Sequence, residues 1–297
     1  MQGKRLESRT PIRKEPVKLA DNVTGHQTPN LKLLIQLGAE EREERLFFAR
    51  QQDLGVEITA FLSGRPLNDP VFRADLERDM AKDLADFTGL ITFHGAFLDL
   101  AVHSADEIIA ATSRRRIESD LITARGLGCR KIIFHLGFNP LIGGQRHRTE
   151  FLERNISFWN EIVARHPDFE ICLENQWETD PTIFEELFEA VDHRRFGMCL
   201  DVAHAHVHSH FAPEAWAERM RPHILHQHWS DNHGDRDRHA ALGAGNIDWS
   251  TLAAPAVPVT LEMNSVAALR RSLSFLGQRK LRPTFNPYPT TFEPLLS

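Results

Sequence analysis

The chain has 297 residues, of which 41% are hydrophobic and 26% charged, and a single α/β barrel accounts for that length without a second domain. A net charge of -6, from 35 Lys and Arg against 41 Asp and Glu, argues against a surface built to grip a long phosphate backbone. No apolar run approaches a bilayer span, and Cys129, Cys172 and Cys199 form no CxxC pair. Composition therefore disfavours a membrane protein, a disulfide framework and a thiolate zinc site, and favours a cytoplasmic protein with reduced thiols.

Residues 1–29 mix Lys, Arg, Thr and Pro without an apolar segment and read as an N-terminal surface arm, not a signal peptide. Residues 30–280 then alternate short runs rich in Ile, Val, Leu and Phe with longer charged stretches of helical period. Eight strands are predicted, at 31–37, 56–61, 90–94, 131–135, 169–174, 196–201, 224–229 and 258–262. Helices are predicted at 40–52, 70–87, 105–126, 149–165, 182–191 and 213–220, with Gly55, Gly89 and Gly128 read as helix-ending glycines. Residues 232–248 read as a long polar loop followed by a brief helical piece. Residues 281–297, rich in proline, read as a tail on the surface. The repeated βα pattern predicts an α/β fold, a single (β/α)8 TIM barrel with an N-terminal extension.

Strand after strand stops at a side chain able to bind a metal. His94 ends LITFH, His135 ends KIIFH, Glu174 ends EICLE, Asp201 ends GMCLD, His228 lies in LHQHWSD and Glu262 ends VTLE. In a parallel barrel these positions converge on the face where active sites are built. A lone histidine at a strand end is usually a structural hydrogen-bonding residue; six such ends in register point to a site. Side-chain alternation puts Cys172 and Cys199 one layer deeper, as small fillers beneath it, and leaves His226 as either a supporting partner or a core histidine. Two local motifs add ligands: His204, three after Asp201 on a strand leaving for its loop, and the pair Asp237 and His239, projecting alike from extended backbone. His206, His208 and His210 are assigned to a solvated loop. Asn175, Asp231, Arg238 and Asn264 flank the ligands and are candidates to orient them. Carboxylates and imidazoles in this mixture suit zinc or manganese.

The motifs HGAFLDL, FHLGFNP, LEN, CLDVAH, HWSD, DRHAALGAGNID and LEM together resemble those of the xylose-isomerase-like barrels. That superfamily includes apurinic/apyrimidinic endonuclease IV and the sugar-phosphate isomerases and epimerases. Likeness to endonuclease IV implies three zinc ions. His94 and His135 would hold one, with Glu174 bridging to a second completed by Asp201, His228 and Glu262, while His204, Asp237 and His239 would bind the third. Likeness to the isomerase and epimerase branch implies one manganese or related ion on Glu174, Asp201, His228 and Glu262. There Glu174 and Glu262 would be catalytic bases and His204 would bind substrate. After the first and second strands, the latter followed by SGRPLNDP, there is no equivalent of the loops with basic and aromatic residues by which endonuclease IV enters DNA. A small sugar or sugar phosphate is therefore the expected substrate, nucleic acid the disfavoured one, and phosphoester hydrolysis the alternative reaction.

Overall fold

A computed structural model describes residues 31–98 and 100–279; the expected arm, 1–29, and tail, 281–297, lie outside the described residues. Eight parallel strands close into a barrel in sequence order: β1 (Leu33–Leu37), β2 (Gly55–Ile58), β3 (Ile91–His94), β4 (Lys131–His135), β5 (Glu170–Glu174), β6 (Phe196–Asp201), β7 (Ile224–Trp229) and β8 (Val259–Leu261), which pairs back onto β1. The strands are short and apolar on both faces, as a sheet covered outside by helices and filled inside by its own side chains demands. No helix among the described residues is long and apolar enough to cross a membrane.

The outer shell consists of α1 (Arg42–Gln52), α2 (Arg65–Asn68), α3 (Pro70–Leu84), α4 (Glu107–Gly126), α5 (Gln145–Arg165), α6 (Thr182–Ala190), α7 (Val202–His208), α8 (Pro213–Arg219) and α9 (Val266–Gln278). Local chemistry sets their starts. Asp69 accepts the N–H groups of Val71 and Phe72 ahead of Pro70, and Asp106 accepts those of Ile108 and Ile109, so both helices begin on side-chain caps. The layer between strands and helices is filled by large side chains, among them Phe61, Phe93, Phe134, Trp159, Phe184 and Trp216. Inside the barrel, Ile133, Cys172 and Cys199 form a small apolar floor, as alternation along the strands predicts.

Three expectations about local structure are corrected. Gly55 does not end a helix but opens β2, where an added Cβ would stand 2.6 Å from the Leu90 carbonyl oxygen and 2.8 Å from Leu34 Cγ. The two neighbouring strands simply leave it no room. The DVAH segment does not leave as extended chain: Asp201 caps α7 by accepting the His204 N–H at 2.6 Å, so His204, His206 and His208 lie on a helix. Among the described residues no helical piece joins β7 to β8. That connection is a loop held by an antiparallel bridge between Asp231 and Ala240.

Candidate metal centre

Register brings the strand-end residues together. His135 pairs across the ladder with Glu174, Glu174 with Cys199, and Asp201 with His228, so their inward side chains meet at the C-terminal mouth. All nine predicted ligands join one network. Glu174 is its hub: its Oε2 lies 3.2 Å from His94 Nε2 and 3.3 Å from His135 Nε2, and its Oε1 lies 3.3 Å from His204 Nδ1 and 3.2 Å from His228 Nδ1. His228 Nδ1 is also 3.2 Å from Glu262 Oε1, and His204 Nδ1 is 3.7 Å from Asp201 Oδ2. Asp237 Oδ2 lies 3.5 Å from His204 Nε2 and 2.6 Å from His239 Nε2, while His239 Nδ1 stands 4.0 Å from Glu262 Oε2. Four groups are compact enough for each to share one ion: two of predicted ligands alone, Glu174, Asp201, His228 and Glu262, and His94, His135 and Glu174, and two that draw in other residues, Glu174, Cys199 and His228, and Glu57, His226 and His228.

Proton counting tests whether these residues fit a cation. His94 Nδ1 lies 3.0 Å from the Gly95 carbonyl and His204 Nδ1 lies 2.8 Å from the Asn175 carbonyl. A carbonyl only accepts, so both Nδ1 atoms carry the proton and, in a neutral ring, Nε2 bears a lone pair. Those lone pairs face Glu174 and Asp237 oxygens. His228 repeats the pattern in reverse, with Nε2 beside Glu57 and Nδ1 beside two carboxylates. Lone pairs that close to carboxylates repel unless a proton or a metal ion stands between them. His228 Nδ1, Asp237 Oδ1 and His239 Nδ1 are moreover buried without a hydrogen-bond partner. The donor set therefore fits divalent ions.

The electrostatics agree. Burial opposes charging of His239, but its hydrogen bond to Asp237 and the nearby Glu262 and Asp201 outweigh it and raise its pKa to about 9. For His204 burial is likewise outweighed, by Asp201, Asp237 and Glu174, and its pKa is raised well above the usual range. Burial pushes Asp201 up to about 7, reinforced by Glu262, Glu174 and Asp237 against His204. His135 goes the other way, down to about 3, because burial and the imidazoles of His94, His204 and His228 outweigh Glu174. A mouth so rich in carboxylates calls for positive charge, which protons supply when metal does not.

A surrounding shell fixes these groups. Gln36 on β1 donates through Nε2 to Glu262 Oε1 at 2.8 Å, and the Asn175 amide both accepts the Asp201 N–H and donates to the Asp201 carbonyl, each at 2.9 Å. Phe97 lies over the His135 ring, 4.5 Å between centroids. Asp231, wholly buried, organises the loop that carries Asp237 and His239. It accepts N–H groups from Asn232, Gly243 and Ile247 and the indole N–H of Trp249. Gly245 is pressed against this turn, where a Cβ would stand 2.1 Å from the Asn232 oxygen. Of the other flanking candidates, Arg238 pairs outward with Asp235 and Asn264 is exposed, so neither orients a ligand. His206 binds the Asn246 side chain at 2.9 Å, and His210 lies on the surface.

Sequence reasoning missed Glu57. This fully buried carboxylate on β2 points into the barrel, against His228 Nε2 at 3.1 Å and His226 Nε2 at 3.3 Å. A lone acid within a strand apolar on both faces is the signal that would have found it.

Residues 48–277 match the family model of the xylose isomerase-like TIM barrel, and the chain belongs to that family. Among curated relatives, an uncharacterized protein of Methanocaldococcus jannaschii, MJ1311, is 27% identical over 170 residues, which is 54% of this chain and 57% of the relative, so the chain spans little more than half that protein's length. A Mycobacterium bovis protein described as a probable endonuclease 4 is 24% identical over 214 residues, 67% of this chain and 80% of that one. Among solved structures, the TTHB071 protein from Thermus thermophilus, soaked with ZnCl2, shares 26% identity at a TM-score of 0.67 over 84% of this chain and 97% of its own. A D-tagatose 3-epimerase-like protein superposes with a TM-score of 0.70 over 84% of this chain and 98% of its own at 20% identity, a likeness of fold.

Proposed function

We propose that this protein is a divalent-metal-dependent phosphoester hydrolase with a multinuclear centre. The observation that carries this reading is the setting of Glu174, each of whose oxygens is faced by two imidazoles. A carboxylate so occupied suits a ligand bridging two ions and is ill placed as a free base for a carbon-bound proton. In this assignment His94, His135 and Glu174 hold one ion, Glu174, Asp201, His228 and Glu262 a second, and His204, Asp237 and His239 a third. Mixed nitrogen and oxygen donors favour zinc, and the ZnCl2 soak of TTHB071 supports that choice. Bound there, the ions would lower the pKa of water to make a nucleophile and offset charge on the phosphate oxygens.

The chain's own residues do the positioning. Gln36 holds one oxygen of Glu262, Asn175 fixes both the Asp201 backbone and the His204 ring, and Phe97 shields one face of His135. With a net charge of -6, a small phosphate ester or a short nucleic-acid end suits the mouth better than a long duplex.

A second reading is favoured by one observation: Glu174, Asp201, His228 and Glu262 by themselves suffice for a single ion. With manganese bound there, Glu174, at the end of β5, and Glu262, just after β8, would exchange the proton of a small sugar or sugar phosphate. His204 would bind a substrate hydroxyl. The test is to incubate zinc-loaded and manganese-loaded protein with bis(p-nitrophenyl) phosphate, an abasic-site oligonucleotide, and ketoses with their phosphates in D2O. Cleavage of a phosphoester without deuterium uptake is expected. Deuterium entering a sugar C–H bond, with every phosphoester intact, would replace this reading with the second.

A further inference from the structure

Glu57 lies beneath the metal centre and is not among the nine predicted ligands, although its carboxylate lies close enough to His226 and His228 for the three to share an ion. It is fully buried on β2, and four polar atoms from three other strands surround its carboxylate. Thr92 Oγ1 on β3 donates to Oε2 at 3.1 Å and Thr260 Oγ1 on β8 donates to the same oxygen at 2.9 Å. His226 Nε2 on β7 lies 3.3 Å from Oε2, and His228 Nε2 lies 3.1 Å from Oε1 and 3.4 Å from Oε2. Packing does not explain a carboxylate here. The adjoining floor of Ile133, Cys172 and Cys199 is apolar, and an ionised group withdrawn from water costs several kcal/mol that an apolar residue would avoid.

The geometry points to Glu57 as a positioning residue that fixes the ring of His228 and delivers its Nδ1 lone pair to a metal ion. The carboxylate accepts from Nε2, which places the ring proton on Nε2. Nδ1 is then left as a lone pair 3.2 Å from both Glu174 Oε1 and Glu262 Oε1, where an ion shared with those oxygens would sit. The two threonine hydroxyls hold Glu57 from β3 and β8, so His228 is oriented by the barrel wall itself. Electron donation from a buried carboxylate through the ring also makes Nδ1 a stronger ligand. This inference rests on the reading that His228 binds a cation, and the experiment separates the two.

Zn2+ affinity is measured by chelator competition, and Co2+ absorption spectra are recorded, for the native protein and Glu57→Gln. The glutamine keeps the shape and one acceptor oxygen but loses the charge. A weakening of Zn2+ binding by about 10–100-fold and a shifted Co2+ visible band are expected. Native protein that binds Zn2+ beside a Glu57→Gln variant whose affinity is within twofold and whose Co2+ spectrum is unchanged would overturn the role of Glu57 alone. Native protein that binds neither ion would overturn both. Should the variant not fold, the ring proton of His228 in native zinc-loaded protein decides by 15N correlation spectra: Nε2–H is expected, and Nδ1–H overturns the inference.

Discussion

Glu174→Ala is expected to abolish turnover and empty the centre of at least two ions while the barrel stays folded. Among the described residues its side chain is the one group that touches four of the candidate imidazoles, so its loss removes the proposed bridge between the group of His94 and His135 and the group of Asp201, His228 and Glu262. Removing a single outer partner of a metal ligand costs 10–100-fold, so removing a shared ligand should cost at least ~100-fold in kcat and in metal affinity together. Folding should survive because the truncated side chain sits above the packed floor, at the C-terminal mouth, and the imidazoles left without their carboxylate can shed their protons and stay neutral. Circular dichroism and metal analysis on the purified variant check both halves. A variant that keeps its metal and its rate would show that Glu174 bridges nothing.

Asp231→Ala should act at a distance and on one part of the site. Four N–H groups, three from the backbone and one from Trp249, would lose their shared acceptor at once in the buried base of the loop that carries Asp237 and His239. Each donor left unsatisfied costs about 1–3 kcal/mol, so the four together should destabilise the loop by at least ~4 kcal/mol before relaxation. The expected result is loss of the ion assigned to His204, Asp237 and His239, with the ions on Glu174 retained, and faster hydrogen exchange confined to 231–249. Uniform loss of all metal would mean that the loop supports the whole mouth.

The barrel and the candidate ligands at its mouth were legible in the sequence because short apolar runs and the polar residues that end them are local signals. LITFH, KIIFH, EICLE and GMCLD each announce both a buried strand and the polar residue where it ends, and closure of the barrel then makes neighbours of residues far apart in the chain. What escaped depended on geometry that only closure creates. Glu57 sits mid-strand, and its meaning comes from His228, 171 positions away. The candidacy of Asp201 as a metal ligand is plain from its strand-end position, but its capping of α7, which places His204 on a helix, is not. The loop between β7 and β8 offered no periodicity, since its order comes from one buried aspartate.

Counting metal ions on the native protein, by elemental analysis after dialysis against Zn2+ at neutral pH, tests the central claim most directly. Two or three tightly held zinc ions per chain are expected, falling to at most one in Glu174→Ala. A native protein that holds a single ion, with His94, His135, Asp237 and His239 each replaceable by alanine without changing that count, would contradict the multinuclear centre.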